Sequence, residues 1–125
     1  MFIIDDDLTI HITRGDAALI SVTADLNGAS YEFKPDDVVR FNVFAKKDCS
    51  DVVLTKDVTV TEATSAVRVV LEKEDTKFGD VISKPTDYWY EVELNPDTTP
   101  QTIIGYDDNG AKIFKLYPEG GVVNE

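Results

Sequence analysis

A chain of 125 residues with 24 acidic and 12 basic side chains, a formal charge of −12 and a single cysteine fits one domain held together by its core, because no internal disulfide can form. The acidic balance argues against nucleic acid as a partner, since phosphates need clustered Lys and Arg, and no apolar stretch approaches the roughly 20 residues that span a bilayer. Met1-Phe2-Ile3-Ile4 runs straight into three aspartates instead of following a basic segment, so neither a signal peptide nor membrane insertion is expected, and the lone Cys49 suits a reducing cytosol.

Fifteen Val, nine Ile and twelve Thr, with turn residues recurring between short runs of them, favour strands over helices. The first expected strand is Leu8-Thr9-Ile10-His11-Ile12-Thr13, with Leu8, Ile10 and Ile12 on one face and His11 between two threonines on the other. Arg14-Gly15-Asp16 turns the chain into a strand over 18–24 whose inward set is Ala18, Ile20 and Val22. Asn27-Gly28 marks another turn, and residues 31–33 suggest a short edge strand ended by Pro35. Over 39–45 the alternation puts Val39, Phe41, Val43 and Ala45 on one side, as a central strand requires. Strands over 52–60 and 66–71 could pair as a hairpin, and 72–78 is the one stretch whose composition suits a helical turn, ended by Gly79. After a loop over 81–86, Tyr88, Tyr90, Val92 and Leu94 alternate with Trp89 and two glutamates, the period of a half-buried strand. A strand through Thr102-Ile103-Ile104 is then tied to one over 112–116 by Asp107-Asp108-Asn109-Gly110, whose Asn-Gly is a strong hairpin signal. These elements predict an all-β fold: an antiparallel two-sheet sandwich of seven to nine strands with one short helical turn. One domain is expected over 1–125, with its core in 8–118 and a flexible tail over 119–125.

Little in the chain carries chemistry. His11 is the only histidine and reads as a solvent-facing strand residue, and no nucleophile elbow accompanies it. Arg14-Gly15-Asp16 matches the tripeptide of integrin ligands, but three residues carry little specificity and a plain turn is the expected reading. The acidic runs Asp5-Asp6-Asp7, Asp36-Asp37 and Asp107-Asp108-Asn109 lack the alternating spacing of a calcium loop and read as solvated loops or, at most, a weak surface cation site; no metal and no cofactor are expected. If Tyr88 and Tyr90 face inward, Trp89 faces at least partly outward, which makes it the best single interface candidate. Tyr106, Leu116 and Tyr117 join it, with the end segment over 116–123.

Several stretches together resemble a known family: Ile12-Thr13-Arg14-Gly15-Asp16, Val39-Arg40-Phe41-Asn42-Val43, Tyr88 to Leu94, Thr102-Ile103-Ile104-Gly105-Tyr106, and Ile113-Phe114-Lys115-Leu116-Tyr117-Pro118-Glu119-Gly120. They resemble the small immunoglobulin-like domains of phage and prophage tail and baseplate regions in Gram-positive bacteria, such as the N-terminal domain of baseplate upper proteins. The resemblance implies an immunoglobulin-like sandwich without enzymatic activity that docks adhesion machinery to the virion. It also implies other virion or tail proteins as partners, with self-association as a further option, and a virion component made in the bacterial cytoplasm. The chain ends without the linker helix and receptor-binding region of larger members, which fits a stand-alone accessory protein or a prophage product whose role has drifted. Two rivals stay open: a carbohydrate-binding β-sandwich module recognising cell-surface glycans, and, weakest, an enzyme with paired carboxylates in a cleft.

Overall fold

Wherever β-branched or aromatic residues alternate with polar ones, this chain forms strands, and the computed structural model, which describes residues 1–108 and 110–119, contains eleven. They are β1 (Phe2–Ile4), β2 (Ile10–Thr13), β3 (Ala18–Val22), β4 (Ala24–Leu26), β5 (Ala29–Tyr31), β6 (Val38–Phe44), β7 (Val52–Thr59), β8 (Val67–Leu71), β9 (Thr86–Leu94), β10 (Gln101–Ile104) and β11 (Lys112–Tyr117). Seven of them make one large sheet in the order β1-β2-β11-β9-β6-β7, with β10 also on β9; β3 pairs with β8, and β4 with β5. The β4–β5 turn is Asn27-Gly28, both at positive φ (54° and 80°), the conformation that lets a two-residue loop follow the strand twist.

Alternation assigns the inner faces of the central strands correctly, whereas Leu8, expected inward with Ile10 and Ile12, lies before β2 and is exposed. Val39, Phe41 and Val43 of β6, Tyr90, Val92 and Leu94 of β9, and Phe114 and Leu116 of β11 are buried on one side of the large sheet. Ile20 and Val22 of β3 with Val67, Val69 and Leu71 of β8 belong to the same apolar cluster, so the small sheet helps to cover the large one. Leu19 and Ser21 point to solvent, as the inward set Ala18, Ile20 and Val22 requires. The all-β architecture expected from the sequence is therefore present.

The connections correct the sequence reading in four places. β7 and β8 do not form a hairpin: β7 pairs with β6 and β8 with β3, because burying Val67, Val69 and Leu71 against Ile20 and Val22 outweighs the nearness of β7 in sequence. β10 and β11 do not pair with each other either. β6 occupies one flank of β9, and the other flank takes β11 along Thr86 to Tyr90 and β10 along Val92 to Leu94, as one interrupted strand. The expected helical turn over 72–78 is absent; two turns closed by Asp75 N to Glu72 O (2.9 Å) and Lys77 N to Glu74 O (3.2 Å) replace it, since so short a segment cannot meet the cost of helix nucleation. Finally, the sheet is not wholly antiparallel: β2 runs parallel to β11, with Ile10 opposite Phe114 and Thr13 opposite Tyr117. Ala45 lies beyond the end of β6 and is exposed, and β1 forms in a segment from which the sequence reading expected no strand.

Candidate functional site

The polar residues singled out in the sequence turn out to be mostly structural ties. His11 stands on the outer face of β2, where Nε2 lies 2.6 Å from Asp5 Oδ2 and Nδ1 2.8 Å from Tyr117 Oη. A carboxylate only accepts, so Nε2–H donates to Asp5, and the ring links the loop after β1 to the end of β11. His11 is thus a partly covered bridge between strands on the outer side of β2. Arg14 is 8% exposed; its guanidinium donates to Glu119 Oε1 (2.8 Å), Lys77 O (3.0 Å) and Gly79 O (3.1 Å). Gly15 at φ 88° donates its N–H to Thr76 Oγ1, and Thr76 donates to Asp16 O, each at 2.9 Å; Asp16 also pairs with the Met1 amino group. The tripeptide is consumed in holding residues 72–79, and a buried guanidinium cannot be presented to a receptor.

The acidic runs behave differently from one another. Asp37 is buried and accepts from Tyr31 Oη (2.7 Å), Lys34 N (2.9 Å) and Asn95 Nδ2 (3.1 Å). Burial alone would raise its carboxyl, but these donors outweigh that and hold it below the usual aspartate range. Lys112 is 7% exposed and donates to Asp107 Oδ2 (2.6 Å). Asp7 is held down mainly by hydrogen bonds from Thr9, with the Lys112 charge adding a lesser effect. A cation of the chain's own thus serves two acidic loops, and among the described residues no group of three or more His, Cys, Asp or Glu side chains is arranged to hold a metal ion. Burial and the nearby Glu91 and Asp48 push the Cys49 thiol up, away from the reactive thiolate.

The four interface candidates separate. Leu116 is fully buried in the core and offers no surface, so it is withdrawn; its even-numbered place in β11 puts it on the inner face with Phe114. Trp89 faces outward, half-buried, in register between Phe44 of β6 and Ile113 of β11. Phe44 itself is only 4% exposed although it lies on this outer face, outside the core cluster. Tyr117 is half-buried against His11, with ring centroids 5.8 Å apart. Tyr106 is 73% exposed, on the excursion between β10 and β11. The part of the end segment over 120–123 lies outside the described residues.

Two further features lie apart from these residues. One is the edges of the large sheet: β1 closes one side and β7 the other, each with a single neighbour. Of the nine large apolar residues exposed among the described residues, four (Met1, Ile3, Ile4 and Leu8) fall in the first eight positions. The run Phe2-Ile3-Ile4 was the available signal. The other is an open cleft of about 470 Å³ beside the end of β7, lined by residues 58–62, Thr64, residues 66–68 and Ser21.

Comparison of the chain with known protein families, with curated proteins and with solved structures finds no match in any of the three. Among the described residues, no helix is long and apolar enough to cross a membrane.

Proposed function

We propose that this chain is a non-catalytic docking module that works through the edges of its large sheet, in the tail or baseplate of a phage or prophage virion. The observation that carries the docking reading is the pair of open edges, one with Ile3 and Ile4 exposed at 50% and 41%. Edge strands offer unpaired amides and carbonyls, and natural proteins usually protect them with charge, proline or a covering segment. β1 itself carries none of these residues. The strand order supports an immunoglobulin-like sandwich: β6, β9 and β11 with β7 appended, facing the β3–β8 pair, parallel the two sheets of variable-type domains. The virion setting rests on the resemblance of the sequence stretches alone.

The test is to induce the encoding bacterium's prophage, purify the particles and quantify this chain by mass spectrometry. Fixed copy number per particle is the expected result; absence from intact particles overturns the virion role. A glycan-binding reading is favoured by one observation, the exposed ring of Tyr106, because sugar rings stack on accessible aromatic faces. Calorimetry with cell-wall saccharides separates the two: saturable binding abolished by Tyr106→Ala supports the glycan reading.

A further inference from the structure

We propose that copies of this chain associate head to tail, with β1 of one copy adding to the free edge of β7 of the next so that the large sheet runs on across the contact. The inference rests on the docking reading above and names its first partner, a second copy.

The two edges differ, and each has what the other lacks. β1 is short, apolar and exposed. β7 is eight residues long, and the two charges in it are already committed within the chain: Lys56 pairs with Asp75 (2.9 Å) and Asp57 with Arg40 (2.8 Å). Neither is free to repel an incoming strand. Val60 N donates to Asp37 O, so by alternation Val58 turns its main-chain groups towards β6 while Asp57 and Thr59 turn theirs outward. That outward edge borders the cleft.

A continuous sheet keeps its two faces on the same sides, which fixes where side chains go. Phe2 packs against its own core, so Ile4, two residues on, stands on the inner side of the sheet. Carried alongside β7, Ile4 of the incoming copy enters the cleft beside Val58 and Val67, both of which line it. Charge completes the fit. Arg68 lines the same cleft, is exposed, and has no ion-pair partner among the described residues, in a chain whose net charge is −12. Of the aspartates that follow β1, Asp5 is bonded to His11 and Asp7 to Thr9, so the exposed Asp6 supplies the acidic partner. Three strand residues make a short contact, so a single junction is weak by the area that stable interfaces bury; a closed ring, in which every copy makes two junctions, gains from closure.

Sedimentation velocity of the full chain over a concentration series tests this. The expected result is concentration-dependent growth beyond a dimer, because each added copy still exposes one β1 and one β7. Ile4→Lys blocks the first edge. Thr59→Pro blocks the second by removing an outward amide, at an edge position where proline is tolerated. Each variant alone is expected to be monomeric, with wild-type circular dichroism. Mixed, they are expected to form a one-to-one dimer, since one keeps a working β7 and the other a working β1. Should Thr59→Pro fail to fold, Arg68→Glu replaces it, with at least tenfold weaker association expected. A wild-type chain that stays monomeric throughout overturns the proposal, as does assembly that stops at a dimer or a mixture that shows no complementation. Any of these leaves incorporation into particles untouched, whereas absence from particles leaves head-to-tail assembly standing.

Discussion

The two faces of the large sheet are built from the same strands and follow different rules. On the inner side, Val39, Phe41, Val43, Val92, Phe114 and Leu116 are all fully buried and interchangeable in chemistry. On the outer side, burial varies from residue to residue and identity matters: Asp57 on β7 grips Arg40 on β6 through two bonds (2.8 and 3.0 Å), and Thr55 donates to Asn42 Oδ1 (2.7 Å). Nearby, Phe44, Trp89 and Ile113 share a row across three strands. The inner face follows from polarity alone, whereas the outer face depends on which strand lies next to which.

Substitutions can break or sharpen that contrast. Phe41→Ala should cost about 3–5 kcal/mol in chemical denaturation, because it empties the middle of the inner layer. A loss no greater than that of an outer-face substitution would erase the distinction. Asp37, the buried polar exception one residue before β6, should cost about 2–3 kcal/mol when changed to Ala, since three donors lose their acceptor. Its carboxyl is held low in the folded state, so the stability it contributes is fully present above the unfolded aspartate value of about 4 and fades as pH falls through the native one. Denaturation of Asp37→Asn against wild type should therefore diverge most at neutral pH and converge in acid; a constant gap would contradict the assignment. Trp89→Ala should cost about 1–2 kcal/mol, reflecting half-burial. The smallest effect is the coupling between Arg40 and Asp57, about 0.5–1 kcal/mol in a double-mutant cycle and reduced by salt.

How far the sequence could be read follows from the same contrast. The inward residues of β3, β6 and β9 were legible because period-2 polarity is a property of one strand. The partners of β8, β10 and β11 were not, because pairing is decided between segments distant in the chain. Asp107-Asp108-Asn109-Gly110 illustrates the point: Asp107 and Gly110 exchange main-chain bonds (2.8 and 3.3 Å), so the chain does turn there, yet the flanking strands bond to β9. Of the candidate site residues, the half-exposed place of Trp89 followed from alternation, while Leu116 was misplaced because its own strand parity was not applied. The cleft was invisible, since residues 58–62 meet Ser21 and Arg68 only after β3 and β8 have paired.

The parallel pairing of β2 with β11 has a mechanical consequence. These strands lie near the two ends of the chain, so tension applied through the polypeptide draws them past each other lengthwise. The four register pairs from Ile10–Phe114 to Thr13–Tyr117 are then loaded together instead of opening one after another like a zipper. Under pulling, β1 should peel away early, and the next resistance should come as a single large rupture force when this patch shears.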